Sequence, residues 1–375
     1  MIISPSDAKF AAEYFIKYFD EVQGDISEYF KRNKIAKMSE MDNSLPGMGP
    51  EDEFFSDYDI HPQDIDPVIE EVSVSKFIHY LQLVASHHIQ SSIPGKTLTW
   101  IVRDRNTSKI IGFVRLGSPT INSKPRNEYL GQPLDSTNKE MMKRRFNESM
   151  MMGFIIIPVQ PFGYNYLGGK LLAAICSSHY ARESMNKKYD VNICGFETTS
   201  LYGSSKTASQ YDGMKPFLRY IGLTESNFLP SINDTEFNYI HNWFKDKVGG
   251  ELVDPDATSR KMKIQSTMMS ITKKCLEDES VKTALAQSIT NAIDMQEQKR
   301  TYISTYGYSN LADYLTLKTD TLSKAENYDR YELDSVIDWW KKKATKRYES
   351  LKSDGRLRNK LETWNTNPED IDIIR

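Results

Sequence analysis

The stretch "GFIIIPV", Gly153 to Val159, carries no polar side chain. A strand of that kind has to be covered on both faces, as the inner strands of an α/β sheet are. It runs straight into "QPFGYNYLGGKLLAAI", a loop of Gly, Asn and Tyr followed by an apolar helix that starts at paired glycines. A buried strand that hands over to a helix in so few residues demands a layered sheet-and-helix fold. Two uses of the loop fit equally. It is a tight strand-to-helix turn, or it is a cradle of free backbone N–H groups for an anion. Pro158 lacks a backbone donor and ends pairing. Gly163, Gly168 and Gly169 permit close approach and unusual φ. The helix start offers unpaired N–H groups and the positive end of a dipole. Lys170 adds a point charge there or faces water.

The rest of the chain arranges itself around that unit. Residues 6 to 33 have the spacing of one or two helices, with Phe10, Tyr14, Phe15 and Tyr18 on one side. "VSKFIHYLQLVASHHIQ" is helical in period. "KTLTWIVRD" and "KIIGFVRLGSP" are strands joined by a hairpin turn, and a polar insertion follows from Thr120 to about Asn147. The helix after the loop is expected to run from about Tyr166 to Ser184. "DVNICGFETTSLYG" is a second buried strand and central neighbour of "GFIIIPV". "KTASQYDGMKPFLRYIGL" reads as a short helical region. The division is an N-terminal helical segment over 1–38, an acidic Pro/Gly-rich linker or loop over 39–72, an α/β domain over 73–230 and a helical region over 231–375.

Charge is segregated along the chain. Between Ser39 and Ser75 there are eleven acidic residues and no Lys or Arg, against a net charge of −3 for the whole. Between Lys341 and Lys360 there are nine basic and two acidic residues. That segment follows Trp339 and Trp340, and cations interleaved with aromatics suit nucleic acid. Lys341, Lys342, Lys343, Lys346 and Arg347 are the candidate contacts to DNA; a solvated helix face is the alternative. No stretch approaches 18 uninterrupted apolar residues, so no membrane partner is expected. Three cysteines are too few for a disulfide framework or a zinc cluster, no metal site is expected, and the cytoplasm is the default compartment.

The order of two hairpin strands, a central strand, a glycine-rich turn into "KLLAAI", another strand and "FLRYIGLTE" resembles the GNAT acyltransferase superfamily. That resemblance implies a GNAT-like mixed sheet with helices, flanked here by N- and C-terminal helical regions. It also implies that Gly163, Tyr166, Gly168, Gly169 and Lys170 hold the pyrophosphate of an acyl-coenzyme A or related donor. If Leu171 and Leu172 align with the family's double leucine, only Gly168 falls on a glycine position, and Tyr164 and Tyr166 replace the others. A second resemblance spans about Ile110 to Leu229, through "GFVRLGSPTINSKPRNEYLG", "NESMMMGFIIIPV", "YLGGKLL", "FETTSLYG" and "YIGLTES". This is similar to the uncharacterised domain family of the Druantia anti-phage defence protein DruA. Arg126, Asn127, Gly131, Asn147, Pro158, Glu197, Thr198, Gly222 and Thr224 occupy its pattern positions. A longer insertion around Asp135 to Arg145 and Tyr211 depart from it.

Four residues are the candidate catalytic set. Arg126 beside Asn127 forms a forked cation next to an amide, a clamp for phosphate or a nucleobase edge, or else a loop salt bridge. Glu197, at the end of a buried strand, is placed to deprotonate an amine directly or through water, or else to pair with Arg126 or cap a helix. Tyr202 is a donor to a leaving thiolate or a ring for stacking. Together these features imply a GNAT-like transferase moving an acyl group onto an amine, with a DNA base as a candidate acceptor, in a phage-defence or mobile-element setting. The alternative is a catalytically silent DNA-binding component of such a system. An open cleft joining the Gly163–Gly169 loop to Glu197 favours the first, and a basic face with a closed cradle favours the second.

Overall fold

The computed structural model describes residues 2–21, 50–85, 95–121, 123–134, 139–200, 209–224, 231–257, 260–295 and 299–363. In chain order the elements are α1 (Pro5–Asp20), β1 (Pro67–Glu71), α2 (Val74–Leu81), β2 (Thr97–Asp104), β3 (Ile110–Gly117), α3 (Lys124–Leu130) and α4 (Lys139–Ser149). Then come β4 (Met150–Pro158), α5 (Phe162–Asn165), α6 (Gly168–Cys176), α7 (His179–Tyr189), β5 (Gly195–Thr199), β6 (Arg219–Leu223) and α8 (Asp234–Val248). The chain continues with α9 (Arg260–Cys275), α10 (Glu279–Met295), β7 (Arg300–Ser304), α11 (Leu311–Leu315) and α12 (Leu333–Ser353). The seven strands form one mixed α/β sheet in the order β1-β2-β3-β4-β5-β7-β6.

The two runs read as buried strands are central neighbours, as expected. β4 pairs with β5 in parallel through Met150↔Gly195 to Gly153↔Thr198, and every other pairing in the sheet is antiparallel. β4 runs on to Pro158 beyond that short parallel stretch. The alternation of side chains sends Met151, Phe196 and Tyr302 to one face, where α5, α6 and α12 cover them with Phe162, Leu172, Trp340 and Tyr348. It sends Met150 and Ile303 to the other face, under Leu130, Phe146 and Leu311 of α3, α4 and α11. A third cluster joins Phe77 and Leu81 of α2 to Phe113, Ile155 and Ile157. Apart from the sheet, α1 packs Phe15 and Tyr18 against α8, α9 and α10, so helices from both ends of the chain share one core. Phe10 stays 39% exposed, so the aromatic side of α1 is only partly covered.

Several elements differ from what local sequence suggests. The single helix expected over about Tyr166 to Ser184 is two, because Ser177 and Ser178 turn the chain between them. Ser178 Oγ accepts from the Ala181 N–H at 3.4 Å and caps α7. The polar insertion after Thr120 holds α3 and α4. The stretch read as a short helical region ends in strand β6, whose partner β7 lies in the part read as all-helical. The acidic segment, described from Pro50, is not a free loop there. Phe54, Phe55 and Ile65 are buried, and β1 forms the edge of the sheet. Its carboxylates pair with cations of neighbouring elements, Glu53 and Glu70 with Arg103, Asp66 with Arg105 and Glu71 with Lys188. The sheet therefore takes strands from both sides of the 73–230 interval.

α12 is the longest helix among the described residues, with 21 residues. Trp340 at its middle is fully buried, while Trp339 is half-buried against Phe217. Replacing Trp340 by Ala is expected to cost about 3–5 kcal/mol of unfolding free energy, read by urea denaturation. Trp339→Ala should cost less than half of that loss.

Candidate functional site

The loop between β4 and α6 faces inward, onto the chain's own C-terminal part. A Cβ at Gly168 would lie 2.6 Å from Phe162 Cδ1 and 2.7 Å from Pro158 Cβ. At Gly169 it would meet Gln210 Oε1 at 2.8 Å, and at Gly163 the Gln160 amide and the Pro158 ring. These glycines are close-approach positions whose space is already filled by protein. Leu167 takes the left-handed conformation, φ 55°, and its carbonyl accepts the N–H groups of Lys170 (2.9 Å) and Leu171 (3.2 Å). Several of the loop's polar groups hold the C-terminal elements. The Trp340 indole N–H donates to the Tyr166 carbonyl at 2.8 Å, and Arg347 Nε donates to the Tyr164 carbonyl at 3.3 Å. Asn165 Nδ2 donates to the Arg358 carbonyl at 2.6 Å, its Oδ1 accepts the Arg358 N–H at 3.2 Å, and the Glu362 N–H reaches the Gln160 carbonyl. The Tyr166 ring stacks between Phe162 and Tyr348, and its hydroxyl donates to the Ile60 carbonyl at 2.9 Å. Lys170 donates to the Asp212 carbonyl; burial pulls its ammonium below the ordinary lysine value, helped by the nearby charge of Lys343.

The structure joins Arg126 to Glu197 on the opposite face of the sheet. β5 presents Glu197 toward α3, because Phe196 before it fills the other face. Arg126 Nη1 donates to Glu197 Oε1 at 2.6 Å, and both side chains are buried, at 0% and 4% exposure. The same guanidinium donates to the carbonyls of Thr120, at 2.7 Å, and Ile121, and lies 4.3 Å from the centre of the Phe146 ring. Burial pushes the Glu197 carboxyl up from its ordinary value and pulls Arg126 down, each opposed by the charge of the other. Beside this pair opens a cleft of about 920 Å³, lined by Glu197, Asn127, Met152, Thr199 and Thr301 among others. The residues of the Gly163–Lys170 loop do not line it. Tyr202 lies outside the described residues. Among the described residues no group of three or more His, Cys, Asp or Glu is placed to hold a metal.

The basic candidates spread over α12. Lys342, Lys343 and Lys346 are exposed, and Lys352, Arg356 and Lys360 extend the same charge beyond them. Lys341 is half-buried and donates to the Gln63 carbonyl at 2.9 Å. Arg347 and Arg358 bracket the Tyr164 ring, at 4.5 and 4.7 Å from its centre. Sequence reasoning missed Arg358 as a partner of Tyr164, and it missed Thr301 in the cleft. The alternating β-branched and aromatic residues of "RTYIS" were the available signal for the strand that carries Thr301.

Two variants check this geometry. Gly168→Val should destabilise the fold by about 1–3 kcal/mol through overpacking against Phe162 and Pro158, as chemical denaturation will show. Arg126→Ala leaves a buried carboxylate alone and should cost about 3–5 kcal/mol. Adding Glu197→Ala should then cost far less than it does in the wild type, so a double-mutant cycle reveals strong coupling.

Comparison with known proteins places most of this geometry in one matched stretch. Residues 23–204 match the family model described as Druantia protein DruA. The Druantia protein DruA of Escherichia coli (strain UMEA 4076-1) is 24% identical over 212 residues, covering 52% of this chain and 50% of that protein. The chain thus spans about half the length of the curated relative it matches. No solved structure matches the chain. The matched stretch contains both the Gly163–Lys170 loop and the Arg126–Glu197 pair, so the candidate site lies in a DruA-like part of the chain.

Proposed function

We propose that the chain is a nucleic-acid-binding component of a phage-defence system, acting in the cytoplasm through the exposed basic side of α12. The DruA-like domain supplies the defence setting. The observation that carries the binding reading is the row of exposed cations on one anchored helix, Lys342, Lys343, Lys346 and Lys352, continued by Arg356 and Lys360. Cations held on a rigid element meet phosphates without ordering a loop first, and the release of condensed counterions drives the association. Lys343 also lies 5.4 Å from the Trp339 ring, which places an aromatic surface beside the charge. Among the described residues no helix is long and apolar enough to cross a membrane.

A second reading is transfer of an acyl group from acyl-coenzyme A to an amine, with Glu197 as base. It draws on the end of β4–β5 pairing at Gly153 and Thr198, which leaves the rest of β4 without a β5 partner, and on the cleft at Glu197. Against it stand the filled positions at Gly163 and Gly168 and the tie between Glu197 and Arg126.

Charge reversal separates α12 from the alternative of a solvated face. Lys342, Lys343 and Lys346 changed together to Glu should weaken duplex binding roughly tenfold or more at moderate salt, for all sequences alike. Fluorescence anisotropy measures this, and circular dichroism should show an unchanged fold because all three side chains are exposed. Equal affinity of variant and wild type would contradict the proposal.

A further inference from the structure

Three residues that line the cleft under α3 each hold a buried side-chain oxygen that the chain does not use. Glu197 Oε2, Asn127 Oδ1 and Thr301 Oγ1 have no hydrogen-bond partner, and their three residues line the same cleft. Glu197 and Thr301 are each only 3% exposed. Buried acceptors left without donors are costly to a fold, and native structures hold few of them without a reason. The register brings them together. Thr199 on β5 faces Thr301 on β7, Glu197 stands two residues before Thr199 on the same side, and Met152 on β4 is opposite Glu197. Asn127 reaches the cleft from α3.

The chemistry of this floor selects its ligand. Glu197 Oε2 and Asn127 Oδ1 only accept, so oxygens of a phosphate or a carbonyl would stand against them whereas N–H donors would satisfy them, and the Thr301 hydroxyl can donate or accept. The Glu197 carboxylate is already neutralised by Arg126, so a neutral N–H donor suits it better than a second cation. The walls contributed by Pro125, Pro133 and Met152 are apolar and fit a flat ring. The volume of about 920 Å³ is ample for a ring with its sugar. An Asn amide pairs in a fork with the amino edge of adenine, and a carboxylate accepts from the amino group of cytosine.

We propose that the cleft is a binding site for a nucleobase bearing an exocyclic amino group, adenine or cytosine, seated with its amino edge on Glu197 Oε2 and Asn127 Oδ1 and a ring nitrogen on the Thr301 hydroxyl. The site lies across the sheet from α12 and does not depend on that helix contacting DNA.

Calorimetric titration with adenosine, cytidine, inosine and uridine tests it, because inosine and uridine carry a carbonyl where the amine would be. Adenosine or cytidine should bind at least roughly tenfold more tightly than its carbonyl counterpart, as expected when a buried acceptor loses its donor. Thr301→Val removes an unpartnered hydroxyl at constant shape, so the variant should be as stable as the wild type or more so while binding several-fold more weakly. A merely structural Thr301 would not lose binding while keeping stability. Glu197→Gln should abolish the preference for the amino base. The same titration with a single-stranded oligonucleotide carrying one adenine or one cytosine among thymines identifies the source. Tighter binding than the nucleoside assigns the site to a base turned out of a strand, and equal binding assigns it to a free nucleoside or nucleotide. No binding of any nucleoside or strand, equal binding of the amino and carbonyl bases, or wild-type affinity in Thr301→Val would each overturn the proposal.

Discussion

The hydrogen bond from the Trp340 indole to the Tyr166 carbonyl fixes the longest helix to the turn behind the central strand. It sits in a stack of rings, Phe162 on Tyr166 on Tyr348, that closes one face of the sheet. Buried tryptophan is tolerated where its N–H finds a partner, and the turn supplies one. The aromatic residues of "PFGYNY" thus act as a socket, and the glycines beside them let Phe162 and Pro158 come close enough to form it. With α12 seated on Ala344, Tyr348 and Leu351, Lys342, Lys343, Lys346 and Lys352 are left on the outer side. The exposed basic surface is a consequence of how the helix is held.

The DruA-like domain does not complete its own sheet in this chain. β5 pairs on one side with β7, and β6 needs β7 as well, yet β6 and β7 both lie beyond residue 204. The cleft shares this composite origin. Glu197, Asn127 and Met152 come from within the matched stretch and Thr301 from outside it. The site and the sheet that carries it therefore form only when the C-terminal part of the chain folds back over the domain.

Much of the central architecture is legible in the sequence because burial on two faces leaves an unambiguous trace. β2, β3, β4 and β5 announce themselves as apolar runs with turn residues between them. β6 and β7 do not, since "RYIGL" and "RTYIS" are short, and β6 is no more than half-buried. β1 was hidden because acidic residues dominate its surroundings, and ion pairs with Lys76, Arg103, Arg105 and Lys188 make that composition compatible with a sheet edge. The Arg126–Glu197 pair spans 71 positions of sequence. Each residue was a candidate on its own chemistry, and an ion pair was one of the readings for each until the sheet brought them together. The glycine loop was the most ambiguous feature, since close approach to a ligand and close approach to a side chain need the same residue.

The salt dependence of duplex binding tests the proposed contact of α12 with nucleic acid through its exposed cations. Plotting the logarithm of the affinity against the logarithm of salt concentration gives a slope of about −0.9 for each phosphate neutralised on duplex DNA. With at least three of the exposed lysines engaged, the wild-type chain should show a slope of about −3 or steeper. A slope near zero, or no binding at low salt, would contradict it.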